Sequence, residues 1–146
     1  MDSTPGARLA TLLNQTFQSL VASVVAELER QGHPGVTATL EFAVVAIREG
    51  ASDASALGRA LGVSKQAAAK TIATLESLGY VSREADPADA RRKRLTVSER
   101  GEAMTVIGAS AFDELRRGWI ESIGAEEVEH AERALSALLL INRRDV

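Results

Sequence analysis

The sequence of 146 residues has the length of one domain, and 45% of its residues are hydrophobic, which is enough for a buried core. It contains no cysteine, which excludes disulfide scaffolds, thiolate zinc sites, cysteine nucleophiles and thiol redox sensing. The net charge of −3 is unevenly distributed, because nine cations and six anions give residues 52–100 a charge of +3 and leave the rest at −6. A basic middle between acidic flanks indicates an anion-binding face, although chance clustering on a solvated surface explains the charges equally well.

The amino-terminal residues do not have the pattern of a signal peptide, because no basic residues precede a long apolar run. The most apolar stretches, residues 42–47 and 134–141, are far shorter than a membrane span. We therefore expect a soluble cytoplasmic protein without a membrane partner.

Six segments have apolar residues at steps of three or four, which predicts helices over about 7–30, 37–49, 52–61, 65–78, 99–123 and 126–142. Ser52 or Asp53 is expected to cap the third helix and Ser64 the fourth, and Gly79 is placed to end the fourth in a left-handed conformation. The period changes over residues 80–97, where two short strands around the charged turn at 86–90 predict a β-hairpin. The fold class is therefore mainly α with a small β-hairpin wing.

Two short helices joined by a tight glycine-containing turn and followed by a basic hairpin form a winged helix-turn-helix, predicted here over residues 36–101. A helix has the right diameter for the major groove of DNA, and its first residues reach the base edges. The hairpin can place a cation in the adjacent minor groove, where the potential is negative.

Two segments of the sequence resemble the multiple-antibiotic-resistance regulator (MarR) family. Residues 57–81 contain LGRALGVSKQ and LESLGYV, and residues 86–101 read DPADARRKRLTVSERG, which is similar to the family signature Asp-Pro-x-Asp-x-Arg followed by Leu-Thr-x-x-Gly. Two positions depart from the pattern, since Ala90 stands where many relatives have a second wing arginine and Ser98 replaces the usual threonine. The first departure weakens or retunes the wing contact, whereas the second keeps the capping chemistry.

The resemblance implies an obligate homodimer in which the first, fifth and sixth helices interlock and each protomer presents one winged region to a pseudo-palindromic DNA site. It divides the single domain 1–146 into a helical dimerisation region, 1–35 and 102–146, and a DNA-binding region, 36–101. It also implies a small anionic or phenolic ligand, because many members are repressors that such ligands release.

The first turns of the fourth helix supply the candidates for DNA contact. Gln66 can bond adenine with two hydrogen bonds, and Lys65 can reach guanine or phosphate. A cation at a helix amino terminus is disfavoured by the helix dipole, which strengthens the DNA interpretation of Lys65. The full set is Ser64, Lys65, Gln66, Ala68, Lys70 and Thr71. For Ala68 a packing role is the stronger alternative, and for Lys70 a solvated position is as good an explanation as a phosphate contact.

The wing supplies four consecutive cations at residues 91–94. Arg91 matches the wing arginine of the family, and Asp89 is expected to orient it through a charge-assisted bond. Arg92 and Lys93 are further candidates for phosphate contact. The alternative is a surface ion pair of little energetic weight.

A ligand pocket is expected between the winged region and the dimerisation helices, with Phe17, Val21, Phe42 and Trp119 as its apolar candidates, although plain core or dimer interface is the stronger explanation for each. His33 is expected in an exposed loop, and Glu126 and His130 as a solvated pair rather than a metal site. We expect no catalytic residues, metal or cofactor, because the sequence contains no phosphate-binding glycine loop, nucleophile elbow or histidine–carboxylate cluster.

The sequence therefore predicts a homodimeric, sequence-specific transcriptional regulator, a repressor relieved by a small molecule. Two alternatives remain open. One is a winged-helix module that contacts other proteins and has no DNA role. The other is a ligand-blind regulator whose pocket is filled by its own side chains.

Overall fold

The computed structural model describes residues 4–144, and within them six helices and one antiparallel hairpin follow the predicted order. The bounds are α1 Pro5–Arg30, α2 Ala38–Arg48, α3 Ala54–Leu61, α4 Lys65–Ser77, β1 Val81–Asp86, β2 Asp89–Val97, α5 Glu99–Ile123 and α6 Ala125–Arg144. The fold class is confirmed as mainly α with a β-hairpin wing. Two compact units are present, one up to Ser110 and the other from Ala111 onward.

Each helix of the first unit begins at a residue whose side chain satisfies an exposed backbone N–H. Thr37 Oγ1 accepts a hydrogen bond from Leu40 N at 3.3 Å, and Asp53 rather than Ser52 caps α3, with Oδ1 2.8 Å from Ala56 N. Thr4 caps α1 and Pro5 occupies its first turn, so α1 begins two residues earlier than predicted.

The core of the first unit is mostly aliphatic, with Tyr80 as its largest fully buried side chain, and all of its helices contribute to it. α3 and α4 bury Leu57, Ala68, Ile72 and Leu75, while α1 contributes only Val24 and Leu28. The wing contributes Val81 and Leu95, which lie on the same face of the hairpin because Val81 pairs with Val97 and Arg83 with Leu95. Leu95 N also donates to Ser52 O at 3.0 Å, so the hairpin is hydrogen-bonded to the segment that precedes α3.

Most of the apolar stripe on α1 is not covered within the chain. Leu28 is fully buried, whereas Phe17 is 44% exposed and Leu12 61% exposed. By length and composition alone α1 could cross a membrane, but an apolar helix of a soluble protein passes the same test. The predicted stripe therefore exists, but only its carboxyl-terminal end packs in the core.

The second unit contains the end of α5 and the whole of α6, separated by Gly124. Arg116 makes two hydrogen bonds to the carboxylate of Glu132, at 2.6 and 2.9 Å, which link the two helices. α6 exposes a row of large apolar side chains, namely Leu135, Leu138, Leu139, Leu140 and Ile141.

The loop between α1 and α2 contradicts one expectation. His33 is only 6% exposed, and its Nδ1 lies 2.9 Å from the Tyr80 hydroxyl. The prediction of an exposed histidine was wrong because its partner comes from the start of the wing, far away in sequence. His130, by contrast, is exposed on α6, and residues 4–144 contain no cluster of acidic and histidine side chains that could hold a metal ion.

Candidate nucleic-acid interface

The turn between α3 and α4 fixes where the fourth helix begins. Gly62 ends α3 in the left-handed conformation, with φ at +69°, and Val63 N donates to Gly58 O at 2.9 Å. A β-carbon on Gly58 would lie 2.9 Å from Val63 O, so only glycine allows α3 to approach this turn so closely. The turn is therefore held at both of its ends.

Ser64 is the residue at which α4 starts, as predicted. Its Oγ accepts a hydrogen bond from Ala67 N at 3.1 Å, which satisfies one backbone donor and leaves other N–H groups of the first turn free for an anion. Lys65 and Gln66 follow on the exposed side. The first turn of α4 thus presents one cation, one amide and the positive end of the helix dipole to solvent.

The outer face of α4 is a shallow groove lined by Ser64, Gln66, Ala67, Ala69 and Lys70. Lys70 lies one turn beyond Gln66 and is exposed, and Thr71 is half-buried. Ala68 is fully buried on the opposite face. The methyl group of Ala68 therefore packs in the core and is unavailable to DNA, which corrects its inclusion among the DNA-contacting candidates.

The wing carries its cations on the long strand β2, where Arg91, Arg92, Lys93 and Arg94 are all exposed. Side chains alternate along a strand, so Arg91 and Lys93 point to one face and Arg92 and Arg94 to the other. The hairpin therefore carries two cations on each face, so either face can approach an anion.

Asp89 does not orient the side chain of Arg91 as predicted. Its Oδ1 accepts a hydrogen bond from the backbone N–H of Arg91 at 3.0 Å, and Asp86 Oδ1 does the same for Ala88 N at 2.9 Å. Both aspartates therefore stabilise the turn of the hairpin. The position of Arg91 is fixed through its backbone rather than through an ion pair with its guanidinium.

Arg83 is a cation of the basic segment that serves the fold. Arg83 Nε lies 3.1 Å from Glu76 Oε1, which ties β1 to α4. No local pattern separates Arg83 from the other cations, because its pairing with Glu76 depends on how the hairpin returns to the helix. The exposed positive charge is accordingly concentrated at the start of α4 and on β2.

A sequence profile of the MarR family matches residues 42–92, which include α3, α4 and most of the wing. The match spans 51 of the 146 residues, so it relates this segment, and not the chain as a whole, to the MarR family.

Solved structures with the same fold extend the likeness to nearly the whole chain. A crystal structure of MarR has 22% identity and a TM-score of 0.76, and covers 99% of this chain and 97% of its own. FabT of Streptococcus pneumoniae, solved in complex with DNA, has 17% identity and a TM-score of 0.76, with 95% and 98% covered. A probable transcriptional regulator from Pseudomonas aeruginosa has 25% identity and a TM-score of 0.70, with 92% and 99% covered.

The apolar candidates for a ligand pocket are only partly brought together. Phe17 and Phe42 stack with their ring centroids 6.2 Å apart, and both are more than one third exposed. Val21 is half-buried on α1, one turn beyond Phe17. Trp119 belongs to the second compact unit. The aromatic pair between α1 and α2 is thus the part of the predicted pocket that lies within one unit.

Proposed function

We propose that this protein is a homodimeric, sequence-specific DNA-binding repressor of the cytoplasm. The observation that carries the proposal is the pairing, within one compact unit, of a capped helix start exposing Lys65 and Gln66 with a wing of four exposed cations. Gln66 would read adenine in the major groove and Lys65 guanine or phosphate. Arg91 would enter the minor groove, with Arg92, Lys93, Lys70 and Ser64 on the phosphates.

The exposed apolar surfaces support a homodimer. α1 leaves Leu9, Leu12, Phe17 and Leu20 at least one third exposed, and α6 leaves five aliphatic side chains exposed over residues 135–141. Contiguous apolar surface of this kind marks an interaction site in a soluble protein. A two-fold dimer would present two copies of α4 to a pseudo-palindrome with half-sites roughly 34 Å apart.

Two solved MarR-fold proteins support DNA as the partner, because FabT is described in complex with DNA and a MepR mutant of Staphylococcus aureus bound to an oligodeoxyribonucleotide. Binding at an operator fits repression. The stacked rings of Phe17 and Phe42 support relief by a small aromatic anion or phenol, because an exposed aromatic pair offers a flat apolar surface to such a ring.

The DNA proposal is tested by fluorescence anisotropy with two duplexes, one from upstream of the protein's own gene and one scrambled, each at two salt concentrations. The wild type is expected to bind the native duplex more tightly, with a steep salt dependence, because about 0.9 counterions are released per phosphate neutralised. Gln66→Ala should reduce the preference for the native duplex about tenfold and leave the scrambled duplex nearly unaffected. Gln18→Ala, at another exposed glutamine outside α4 and the wing, serves as the control.

The other outcomes separate the alternatives. Equal binding to both duplexes would make the protein a non-specific DNA binder and remove the assignment of Gln66. Absence of binding to either would favour the winged-helix module that contacts proteins. Lys70→Gln should weaken binding to both duplexes alike and reduce the slope of log K against log salt concentration by about one. An unchanged slope would mean that Lys70 is a solvated surface residue that does not contact phosphate.

Ligand relief is tested separately with benzoate, 4-hydroxybenzoate and phenol. We expect at least one of them to weaken native-duplex binding by the wild type and not by Phe42→Ala, because the substitution removes half of the aromatic pair. Binding that is unaffected by all three compounds would favour the ligand-blind regulator.

A further inference from the structure

A polar cluster with two buried members and one exposed member lies where the loop after α1, the end of α4, the start of β1 and the beginning of α5 meet. Its members are His33, Tyr80 and Arg100. Tyr80 is fully buried and His33 nearly so, and the two are joined by the 2.9 Å contact between Nδ1 and the hydroxyl. The cluster lies within the first compact unit, and its buried members have no surface to offer to DNA.

Arg100 makes three hydrogen bonds, two to residues 78 and 80 and one to the loop after α1. Its Nε donates to the carbonyl of Leu78 at 3.3 Å, where a cation complements the carboxyl-terminal end of α4. Its Nη2 donates to the carbonyl of Gly32 at 3.4 Å and to the Tyr80 hydroxyl at 3.3 Å. The guanidinium carbon lies 4.9 Å from the centroid of the Tyr80 ring, within cation–π range. One side chain of α5 therefore connects the loop after α1 to the end of α4.

The hydrogen bonds of the cluster suit a neutral histidine. The Tyr80 oxygen accepts a hydrogen bond from Arg100 Nη2, and the Tyr80 hydroxyl can donate its own proton to His33 Nδ1 when that nitrogen is unprotonated. Burial, and then the charge of Arg100, lower the pKa of His33. The groups that face the ring are Tyr80 from the start of the wing and Arg100 from α5, while the backbone N–H of His33 donates to the uncharged carbonyl of Leu28 on α1.

We propose that Arg100, Tyr80 and His33 are positioning residues for DNA recognition, which fix the carboxyl-terminal end of α4 and the root of the wing to the loop that ends α1. α4 is held at its amino terminus by the turn at Gly58 and Ser64. The cluster holds its other end, so the direction in which Gln66 points depends on both attachments. This inference rests on the proposed function of α4 as the helix that reads the bases.

The test compares Tyr80→Phe with Val24→Ala. Tyr80→Phe keeps the ring and removes the atom that joins His33 to Arg100, whereas Val24→Ala removes buried volume from α1 and leaves the hydrogen-bonding groups of the cluster in place. We expect Tyr80→Phe to weaken native-duplex binding about tenfold, with scrambled-duplex binding and the salt slope unchanged. Val24→Ala should lower the melting temperature and leave the ratio of the two affinities intact. If the ratio of the affinities for the native and scrambled duplexes fell in both variants in proportion to their loss of melting temperature, the proposal would be overturned.

The preference for the native duplex is also measured over a series of pH values, because a purely structural role of the cluster in packing would not make this preference depend on pH. Protonated His33 cannot accept from Tyr80 and faces Arg100, so the preference of the wild type for the native duplex should fall as the pH is lowered from 7.5 to 5.5. His33→Gln should flatten that dependence, because the amide does not titrate. An equal pH dependence in His33→Gln and wild type would count against the cluster.

Amide hydrogen exchange of the DNA-free protein separates this inference from the proposed function. Tyr80→Phe should raise exchange in residues 78–82 and also in residues 31–36, because the cluster joins these segments. A rise confined to residues 78–82 would overturn the coupling. A wild type that does not distinguish the two duplexes would overturn both the proposed function and the role in DNA reading, whereas the exchange data would still decide whether the segments are coupled.

Discussion

Replacement of Gly101 by alanine is expected to destabilise the protein, although alanine is the better helix former. Gly101 is buried in the first turn of α5. A β-carbon there would overlap the carbonyl oxygen of Tyr80 and lie 2.6 Å from Val97 Cγ1. The Tyr80 carbonyl cannot withdraw freely, because it accepts a hydrogen bond from Ser98 N at 3.0 Å.

Two effects of opposite sign determine the magnitude. Alanine in a helix gains up to about 1 kcal/mol over glycine, and an overpacked core typically loses about 1–3 kcal/mol. Since one of the overlapped atoms belongs to hydrogen-bonded backbone, we take the upper end of the loss, which leaves a net destabilisation of about 2 kcal/mol. At about 4 °C per kcal/mol for a chain of this size, the melting temperature should fall by about 8 °C.

The control is Gly118→Ala on the same helix, where no atom of the described residues lies within 4 Å of the added β-carbon. This variant should gain about 0.5–1 kcal/mol and melt about 2–4 °C higher than the wild type. Thermal unfolding followed by circular dichroism measures both, at one fixed protein concentration because assembly makes melting concentration-dependent. A melting temperature of Gly101→Ala at or above that of the wild type would refute the reasoning from the Tyr80 carbonyl.

Three further predictions follow from single contacts. Burial of Glu41 raises its pKa above 4.5, so the ionised carboxylate destabilises the fold at pH 7. Glu41→Gln should therefore have a higher melting temperature than the wild type at pH 7. If this increase in melting temperature did not shrink as the pH approached 4.5, ionisation of Glu41 would be excluded as its cause. Ser64→Ala removes the cap of α4 and should cost about 1 kcal/mol in urea unfolding, with a change below about 0.3 kcal/mol contradicting the cap. Arg91→Ala should weaken DNA binding, measured by fluorescence anisotropy, most strongly for A·T-rich duplexes. An equal loss of affinity for all duplexes would mean that Arg91 contacts phosphate and not the minor groove.

The ends of the helices could be predicted because their bonds are local. Ser64 caps a residue three positions away, and Gly79 adopts a positive φ of +80° directly after α4. His33 could not be placed, because its partner Tyr80 lies 47 residues further along the chain. Asp89 was predicted to contact the right residue, Arg91, but the choice between its backbone and its side chain depends on the geometry of the hairpin turn.

The apolar face of α1 marks a different limit. Phe17 and Leu28 fall in one stripe at helical spacing, yet only Leu28 is buried within the chain. Periodicity identifies which side chains need apolar contact, but it does not tell whether the same chain or another copy provides it. The division into a dimerisation region and a DNA-binding region thus remains a prediction, which the oligomeric state of a Leu12→Glu variant, altered on this exposed stripe, would test.

The geometry of α4 explains why residues far from the bases matter for reading them. The helix has 13 residues and is therefore roughly 20 Å long. If the attachment at the carboxyl-terminal end loosens and α4 rotates by about 5° about that end, together with the turn that holds its amino terminus, Gln66 moves by about 1.7 Å, which exceeds the range over which a hydrogen bond of about 2.9 Å survives. Phosphate contacts from Lys70 or the wing tolerate such a shift better, because long cationic side chains adjust to it. Tilting α4 therefore removes base preference before it removes affinity, and the attachment through Arg100 controls that tilt.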